Sequence, residues 1–303
     1  MEDVALPVMR YARQEAWDAP VPVRGDAAAL ASMIASGRAV VLSGAGISTD
    51  SGIPDYRGPT SRRRTHAPMT YEAFTGDPAA RHRYWARSFV GWSQIADAHP
   101  NAGHRAVAAL ERAGLLRGTV TQNVDGLHQA AGAREVVELH GALDRVVCLG
   151  CGALTSRSGL QHRLRTLNPA FETRAATVVN PDGDAELPAD MVAAFVMTPC
   201  PSCGDGPLKP DVVYFGESVP RPRVRHCLEL VEGARSLVVL GSSLTVMSGL
   251  RFVRAARRVG VPVAIVATGP SRGDDAADVR LDEPLGELLP GILTTLGLDD
   301  GGT

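Results

Sequence analysis

The sequence predicts a doubly wound α/β fold, a parallel Rossmann-like sheet into which a smaller unit is inserted. Three observations carry this expectation. Short β-branched apolar runs recur along the chain with turn-forming residues after each. Helix-spaced stretches rich in Ala, Leu and Arg lie between several of them. Two Cys-x-x-Cys pairs interrupt that rhythm well inside the chain.

The expected strands are Ala39 to Leu42, Thr119 to Thr121, Val136 to Leu139, Ser236 to Leu240 and Val261 to Ala267. Continuous apolar runs of this kind suit strands buried on both faces, hence a parallel sheet covered by helices on each side. Ala102 to Ala113 and Leu250 to Val259 supply helical spacing for the covering layers. Two segments depart from the alternation. The first, within residues 53–100, is rich in Pro, Arg and aromatics and contains a helix-like run from Ala79 to Trp92. The second, residues 145–207, holds all four paired cysteines around Asn180-Pro181-Asp182-Gly183-Asp184. The expected organisation is therefore one nucleotide-binding domain made of residues 25–52, 101–144 and 208–295. Residues 53–100 form a loop and helical insertion, 145–207 a metal-binding module and 1–24 an N-terminal extension.

With 303 residues, 45% hydrophobic and 21% charged, the chain falls outside the disordered, collagenous and membrane classes. No apolar run approaches the roughly 20 residues that span a bilayer. A net charge of -2 gives no electrostatic reason to expect nucleic acid as the main partner. The first twenty residues carry Glu2, Asp3, Glu15 and Asp18, unlike an acid-poor transit peptide or an apolar secretory signal. A cytoplasmic monomer without membrane or nucleic-acid partners is the expectation. Lys209 is the only lysine, which reads as genome composition.

Of the five cysteines, Cys148/Cys151 and Cys200/Cys203 share one spacing, and in a cytoplasmic chain this suggests a metal before a disulfide. Two such knuckles deliver four sulfurs at about 2.3 Å to a tetrahedral Zn²⁺. Such a site has no open position for water, so its role is structural. Cys227, in a helix-like run, reads as a small buried apolar residue.

Val40 to Ser48 reads as a strand entering a Gly-rich turn and then a helix, with Gly44 and Gly46 permitting a close backbone approach to phosphate. The ordinary dinucleotide fingerprint asks for a third Gly where Thr49 stands, and for an acidic residue about twenty positions on. Both are missing, so the turn alone leaves dinucleotide binding and a plain strand-to-helix connection open.

The blocks that follow are more specific. They are Thr49-Asp50-Ser51-Gly52-Ile53-Pro54-Asp55-Tyr56-Arg57-Gly58, Thr121-Gln122-Asn123-Val124-Asp125-Gly126-Leu127-His128, Glu138-Leu139-His140-Gly141, Lys209 to Glu217, and Gly241-Ser242-Ser243-Leu244. In content and order they resemble the sirtuin family over residues 30–290. Tyr56, the Arg83-to-Trp92 block and the long stretch between the cysteine pairs are most similar to its class II branch, in a bacterial form.

This resemblance implies an NAD-dependent protein lysine deacylase, with acyl-lysine proteins or peptides as substrates and with NAD and zinc bound. The acyl oxygen attacks C1′ of the nicotinamide ribose, nicotinamide leaves, and a base then activates the ribose 2′-hydroxyl, giving 2′-O-acyl-ADP-ribose. His140 matches the family's general base, a task suited to a neutral imidazole. Asn123 and Asp125, with Gln122 and Val124, match the residues that hold ribose and carboxamide, and Arg57 and Asp55 match loop residues near the diphosphate and reaction centre. Gly44, Ala45, Gly46, Ser48, Ile53, Pro54, Tyr56, Arg64, Gly241, Ser242, Ser243, Ala267, Thr268, Gly269 and Leu285 complete the expected cofactor site. Val212, Tyr214, Phe215, Gly216, Glu217 and Met247 form the expected substrate edge, an extended peptide adding a strand between Val212 to Glu217 and the loop near Val246 to Ser248.

One departure is visible: Ala267 stands where most sirtuins carry an Asn that binds the adenosine ribose. A mono-ADP-ribosyltransferase using the same pocket, or a non-catalytic NAD sensor, are the rival readings, and a hydride-transferring dehydrogenase is disfavoured by the broken Gly fingerprint. Surplus apolar residues in the two insertions, among them Leu160, Leu164, Phe171 and Phe195 with Tyr84, Trp85, Phe89 and Trp92, either form the module's own core or build an acyl channel between the insertions. Acetyl-lysine and medium or branched acyl-lysines are then expected as comparable substrates.

Overall fold

The computed structural model describes residues 21–56, 68–171 and 183–300. The described strands are β1 (Ala39–Ser43), β2 (Leu116–Thr121), β3 (Val136–Glu138), β4 (Gly141–Cys148), β5 (Leu154–Ser156), β6 (Leu208–Val212), β7 (Ser236–Leu240), β8 (Val263–Val266) and β9 (Val279–Leu281). The described α-helices are α1 (Ala27–Ala35), α2 (Tyr71–Gly76), α3 (Pro78–Ala96), α4 (Ala102–Arg112), α5 (Leu127–Ala130), α6 (Arg157–Leu167), α7 (Ala189–Ala194), α8 (Arg221–Glu232), α9 (Met247–Arg258) and α10 (Leu285–Thr295). No helix among the described residues is long and apolar enough to cross a membrane.

Six strands form one sheet in the order β3-β2-β1-β7-β8-β9, and each neighbouring pair is parallel. Counted along the chain within that sheet the order is 3-2-1-4-5-6, that of the doubly wound dinucleotide fold. The chain reverses direction across the sheet between β1 and β7. At such a switch point the loops leaving the carboxyl ends of two adjacent strands diverge and open a crevice.

Alternation along the strands divides the core. Val41, Val238 and Val266 face α1, α4 and α10, packing on Leu30, Ile34, Leu110, Leu289 and Ile292. Val40, Leu42, Leu237 and Val239 face α8 and α9, packing on Val224, Phe252 and Val253. Cys227 lies in this second layer as expected, and burial pushes its thiol up to about 12.

The second sheet is antiparallel, in the order β5-β4-β6. It takes residues from both sides of the expected module boundaries, since β4 runs unbroken through 144/145 and β6 begins at Leu208. The helical insertion and the cysteine module share one core. Phe74, Tyr84, Trp85 and Phe89 pack with Val146, Leu160, Leu164, Phe171, Phe195 and Leu208. Phe89, Phe171 and Phe195 meet one another with ring centroids 5.6 to 6.1 Å apart. Trp85 Nε1 donates to Leu208 O at 2.9 Å, satisfying its polar end.

A buried arginine completes the joint. Arg157, at the start of α6, donates to Ser88 O at 3.1 Å, and its guanidinium carbon lies 5.6 Å from the Trp85 ring and 4.9 Å from the Trp92 ring. Gln161 Nε2 reaches Phe89 O at 2.9 Å, one turn further along α6.

This packing matches the core reading of the surplus apolar residues rather than the channel. The aromatics of the helical insertion and the apolar residues of the module are consumed in their common core, and Leu154, Leu167 and Val196 face solvent. Surplus apolar content marks a second core here because the two insertions bury each other.

Candidate functional site

A cavity of about 330 Å³ occupies the switch point between β1 and β7 and runs on to the second sheet. Its floor is made by two turns in backbone contact. Gly44 N donates to Leu240 O, and Gly46 N donates to Gly241 O, both at 2.9 Å. A Cβ on Gly44 or Gly46 would stand 2.8 or 2.9 Å from Gly241 O, and Gly241 itself has φ +63°. The close approach these glycines permit is thus first of all to the β7 turn. The helix expected after Gly46 is two short 3₁₀ turns, Ala45–Ile47 and Thr49–Ser51.

Gly46→Ala should therefore push the two turns apart. An overpacking cost of about 1–3 kcal/mol, if it falls on the bound state, corresponds to a rise of about fivefold or more in the Kd for NAD, measurable by calorimetry with Tm as a control. An unchanged Kd would contradict the tight contact.

From β2 come the polar residues of the wall. Asn123 Nδ2 donates to Gly44 O at 3.1 Å and to Ser48 Oγ at 3.0 Å, and Ser48 Oγ donates to Asp125 Oδ2 at 2.7 Å. Leu127 N donates to Asp125 Oδ1 at 3.0 Å. Burial raises the Asp125 carboxyl above its ordinary value, although these donors pull the other way. Gln122 Nε2 donates to Ser242 Oγ at 2.7 Å, bridging to the β7 turn.

His140 ends the connection between the two sheets and lines the same cavity. Its Nδ1 lies 2.9 Å from Gln122 O, and a carbonyl can only accept, so the proton sits on Nδ1 and Nε2 carries the lone pair. Burial lowers its pKa to about 4. The ring is therefore neutral at pH 7 with its basic nitrogen defined.

Behind the wall lie two more buried histidines that sequence reasoning did not place in the site. His128 Nε2 is 2.8 Å from Ser43 Oγ, His104 Nε2 is 3.4 Å from Ser48 Oγ, and their ring centroids are 5.0 Å apart. Burial lowers them to about 4 and about 3.

Most of the expected cofactor residues line this one cavity: Gly44, Ala45, Gly46, Ser48, Ile53, Asp55 and Tyr56, then Gln122 to Asp125, Gly241 to Ser243, Ala267, Thr268 and Leu285. Pro54 and Gly269 do not line it. Arg57, Gly58 and Arg64 lie outside the described residues. Leu244 of the last signature block and Val246 of the expected substrate loop line the cavity too, and Met69, Leu143, Thr245, Pro270 and Glu283 do so without having been anticipated.

Ala267 offers no hydrogen-bonding side chain, and its segment is held by the backbone. Arg280, fully buried, donates to Ala267 O and Gly269 O and pairs with Asp274.

Among the expected substrate residues, Val212, Tyr214 and Phe215 reach the cavity wall, whereas Gly216, Glu217 and Met247 do not. Glu217 shapes the segment from behind. Its Oε2 accepts from Tyr214 N at 2.8 Å and pairs with Lys209 Nζ at 3.1 Å. Burial lowers the pKa of Lys209, against the pull of Glu217. Phe215 O already accepts from Tyr71 N at 2.8 Å, so part of this edge is paired within the chain.

The four paired cysteines converge, their sulfurs all within 4.8 Å of one another. Cys148 Sγ and Cys203 Sγ are 3.7 Å apart, and Cys151 Sγ and Cys200 Sγ are 3.8 Å apart. A tetrahedron with Zn–S bonds of about 2.3 Å has edges of about 3.8 Å, so the donor set fits zinc in type and spacing. Backbone N–H groups of Cys151, Ser202 and Gly206 point at Cys148, Cys200 and Cys203 Sγ.

Comparison with known proteins agrees with this geometry. The model of the Sir2 family matches residues 44–248. NAD-dependent protein deacetylase 1 of Streptomyces coelicolor is 58% identical over 280 residues, covering 92% of this chain and 93% of the relative. NAD-dependent protein deacetylase 1 of Mycobacterium avium is 52% identical, covering 88% and 94%. Among solved structures, one described as "Sir2-p53 peptide-NAD+" shares 28% identity with a TM-score of 0.70, covering 90% of this chain and 99% of that one. Fold, site and these matches together place the chain in the Sir2 family.

Proposed function

We infer that the chain is an NAD-dependent protein deacetylase, acting on acyl-lysine in proteins or peptides with His140 as general base. The observation that carries this reading is one cavity lined together by a neutral histidine whose proton sits on Nδ1, by the Gly44–Gly46 turn and by the Asn123–Ser48–Asp125 chain.

Bound NAD supplies an electrophilic ribose carbon with nicotinamide as leaving group. The chain's own residues do the rest. Backbone at Gly44 to Gly46 and the Gly241 to Ser243 turn lie where the diphosphate would rest. Asp125 accepts from the carboxamide, and Asn123 and Gln122 orient the ribose. His140 Nε2 takes the proton of the ribose hydroxyl, so that its oxygen becomes the nucleophile. Val212, Tyr214 and Phe215 support an extended peptide beside the cavity, where main-chain pairing serves many sequences. The four thiolates hold zinc away from this chemistry and give the module its shape. The composition and the free cysteines fit a cytoplasmic protein, and we propose that it acts as a monomer.

Tyr84, Trp85, Phe89, Phe171 and Phe195 do not line the cavity, whose apolar lining includes Ile53, Met69, Leu143, Val212, Tyr214 and Phe215. Acetyl-lysine peptides should then be the best substrates. A series from acetyl to octanoyl, followed by mass spectrometry with NAD present, should show kcat/KM falling about tenfold or more by octanoyl. Nicotinamide, free lysine peptide and 2′-O-acyl-ADP-ribose should appear in equal amounts. ADP-ribosylated protein in place of the acylated product would favour transferase chemistry instead.

A further inference from the structure

His140 has a second partner, a contact that no sequence motif gives. Ser248, in the first turn of α9, is 1% exposed, and its Oγ stands 2.8 Å from His140 Nε2. Because Nδ1 carries the proton toward Gln122 O, Nε2 must accept, and the serine O–H donates to it. The helix cap is Val246, which has no side chain for that task, and the helix starts hard against the end of β2. A Cβ on Gly249 would lie 2.6 Å from Gln122 Oε1, so glycine there lets the first turn of α9 close on the residue whose carbonyl holds Nδ1. The end of β2 and the start of α9 thus grip the two ring nitrogens from opposite sides. His140 lines the cavity and Ser248 does not, so the serine works through the histidine.

We propose that Ser248 is a positioning residue for deacylation: its hydroxyl holds the imidazole plane and the Nε2 lone pair until the substrate hydroxyl replaces it, then accepts from the new Nε2–H. This rests on the reading of His140 as the general base. In the step itself the substrate O–H bond breaks, an Nε2–H bond forms, and the electron pair stays on the substrate oxygen. The serine rotor suits both states, since one hydroxyl can donate to a neutral ring and accept from a charged one. No proton passes through Ser248, and none is lost from it.

The step served by His140 follows nicotinamide departure, so exchange of labelled nicotinamide into NAD reports only on what precedes it. In the full-length zinc-loaded protein with NAD and an acetyl-lysine peptide, Ser248→Ala should lower kcat for deacylation about tenfold. Nicotinamide exchange and the KM for NAD should stay within about twofold of the parent, outside the reach of a positioning loss at His140. In a His140→Ala background, adding Ser248→Ala should change the residual rate by less than about twofold, because the two act as one unit. Deacylation unaffected by Ser248→Ala, exchange falling in parallel with deacylation, or multiplicative losses in the double variant would each overturn the proposal. Full deacylation by His140→Ala alone would instead remove the general-base reading on which it stands.

Discussion

His140→Ala should reduce NAD-dependent deacylation at least about a hundredfold, since loss of a positioned general base removes that much or more, while Tm and NAD binding stay near the parent values. The expectation follows from the lone pair on Nε2, fixed by the Nδ1–H···O=C bond to Gln122, and from the ring's place on the cavity wall. Burial is the main cause of its low pKa of about 4, and the nearby charges of Arg223 and Arg251 act in the same direction. The base therefore stays unprotonated well below pH 6.5, and this group should impose no acid limb on kcat/KM between pH 7 and about pH 5. Retention of more than about a tenth of parental turnover by the alanine variant would contradict the assignment.

The same burial bears on stability. Burial holds His104, His128 and His140 at about 3, 4 and 4 in the folded chain, below the ordinary imidazole value of about 6.5. Below pH 6.5 the unfolded chain binds protons that the folded chain refuses. Their contribution is complete above that pH and is lost as the pH falls toward about 4.

Much of the parallel sheet was legible because its strands are short apolar runs closed by turn residues, and a strand buried on both faces leaves that trace whatever packs on it. β9 was not anticipated, since Val279–Leu281 is three residues long and contains Arg280. A buried arginine in a strand reads as surface until its partners are known, here Asp274 and the carbonyls of the Ala267 segment. The cysteine spacing was legible because thiolate geometry demands it. The choice between an acyl channel and a module core stayed open in the sequence for a physical reason: apolar content reports that surface will be buried, not which surface buries it. Ser248 was expected only as the end of the substrate loop, and its contact with His140 escaped because a lone serine after Met247 carries no spacing signal and its meaning comes from a helix start meeting the end of β2. The short 3₁₀ turns after β1 replace a helix because Gly46 is held to the β7 turn.

Removal of the metal should have the other large effect. The protein as purified should contain one zinc per chain, and metal analysis checks this directly. Structural zinc sites of this kind contribute about 10–16 kcal/mol of apparent binding free energy, which is also folding free energy for the unit they close. Cys148 and Cys200 are buried in the shared core with Trp85, Phe89, Leu208 and Tyr214, so the damage should not stay local. Without the cation four sulfurs are left within 4.8 Å of one another, and any that remain ionised repel. β4 ends at Cys148, β6 begins at Leu208, and Val212 at the far end of β6 lines the cavity beside His140. Loss of zinc should therefore unfold the module, loosen the substrate edge and abolish deacylation, while the six-stranded sheet retains much of its helix and strand signal by circular dichroism. Cys148→Ser should reproduce the effect without a chelator. Metal-free protein that keeps both the module's protection from hydrogen exchange and its activity would show that the four thiols close the module without a cation.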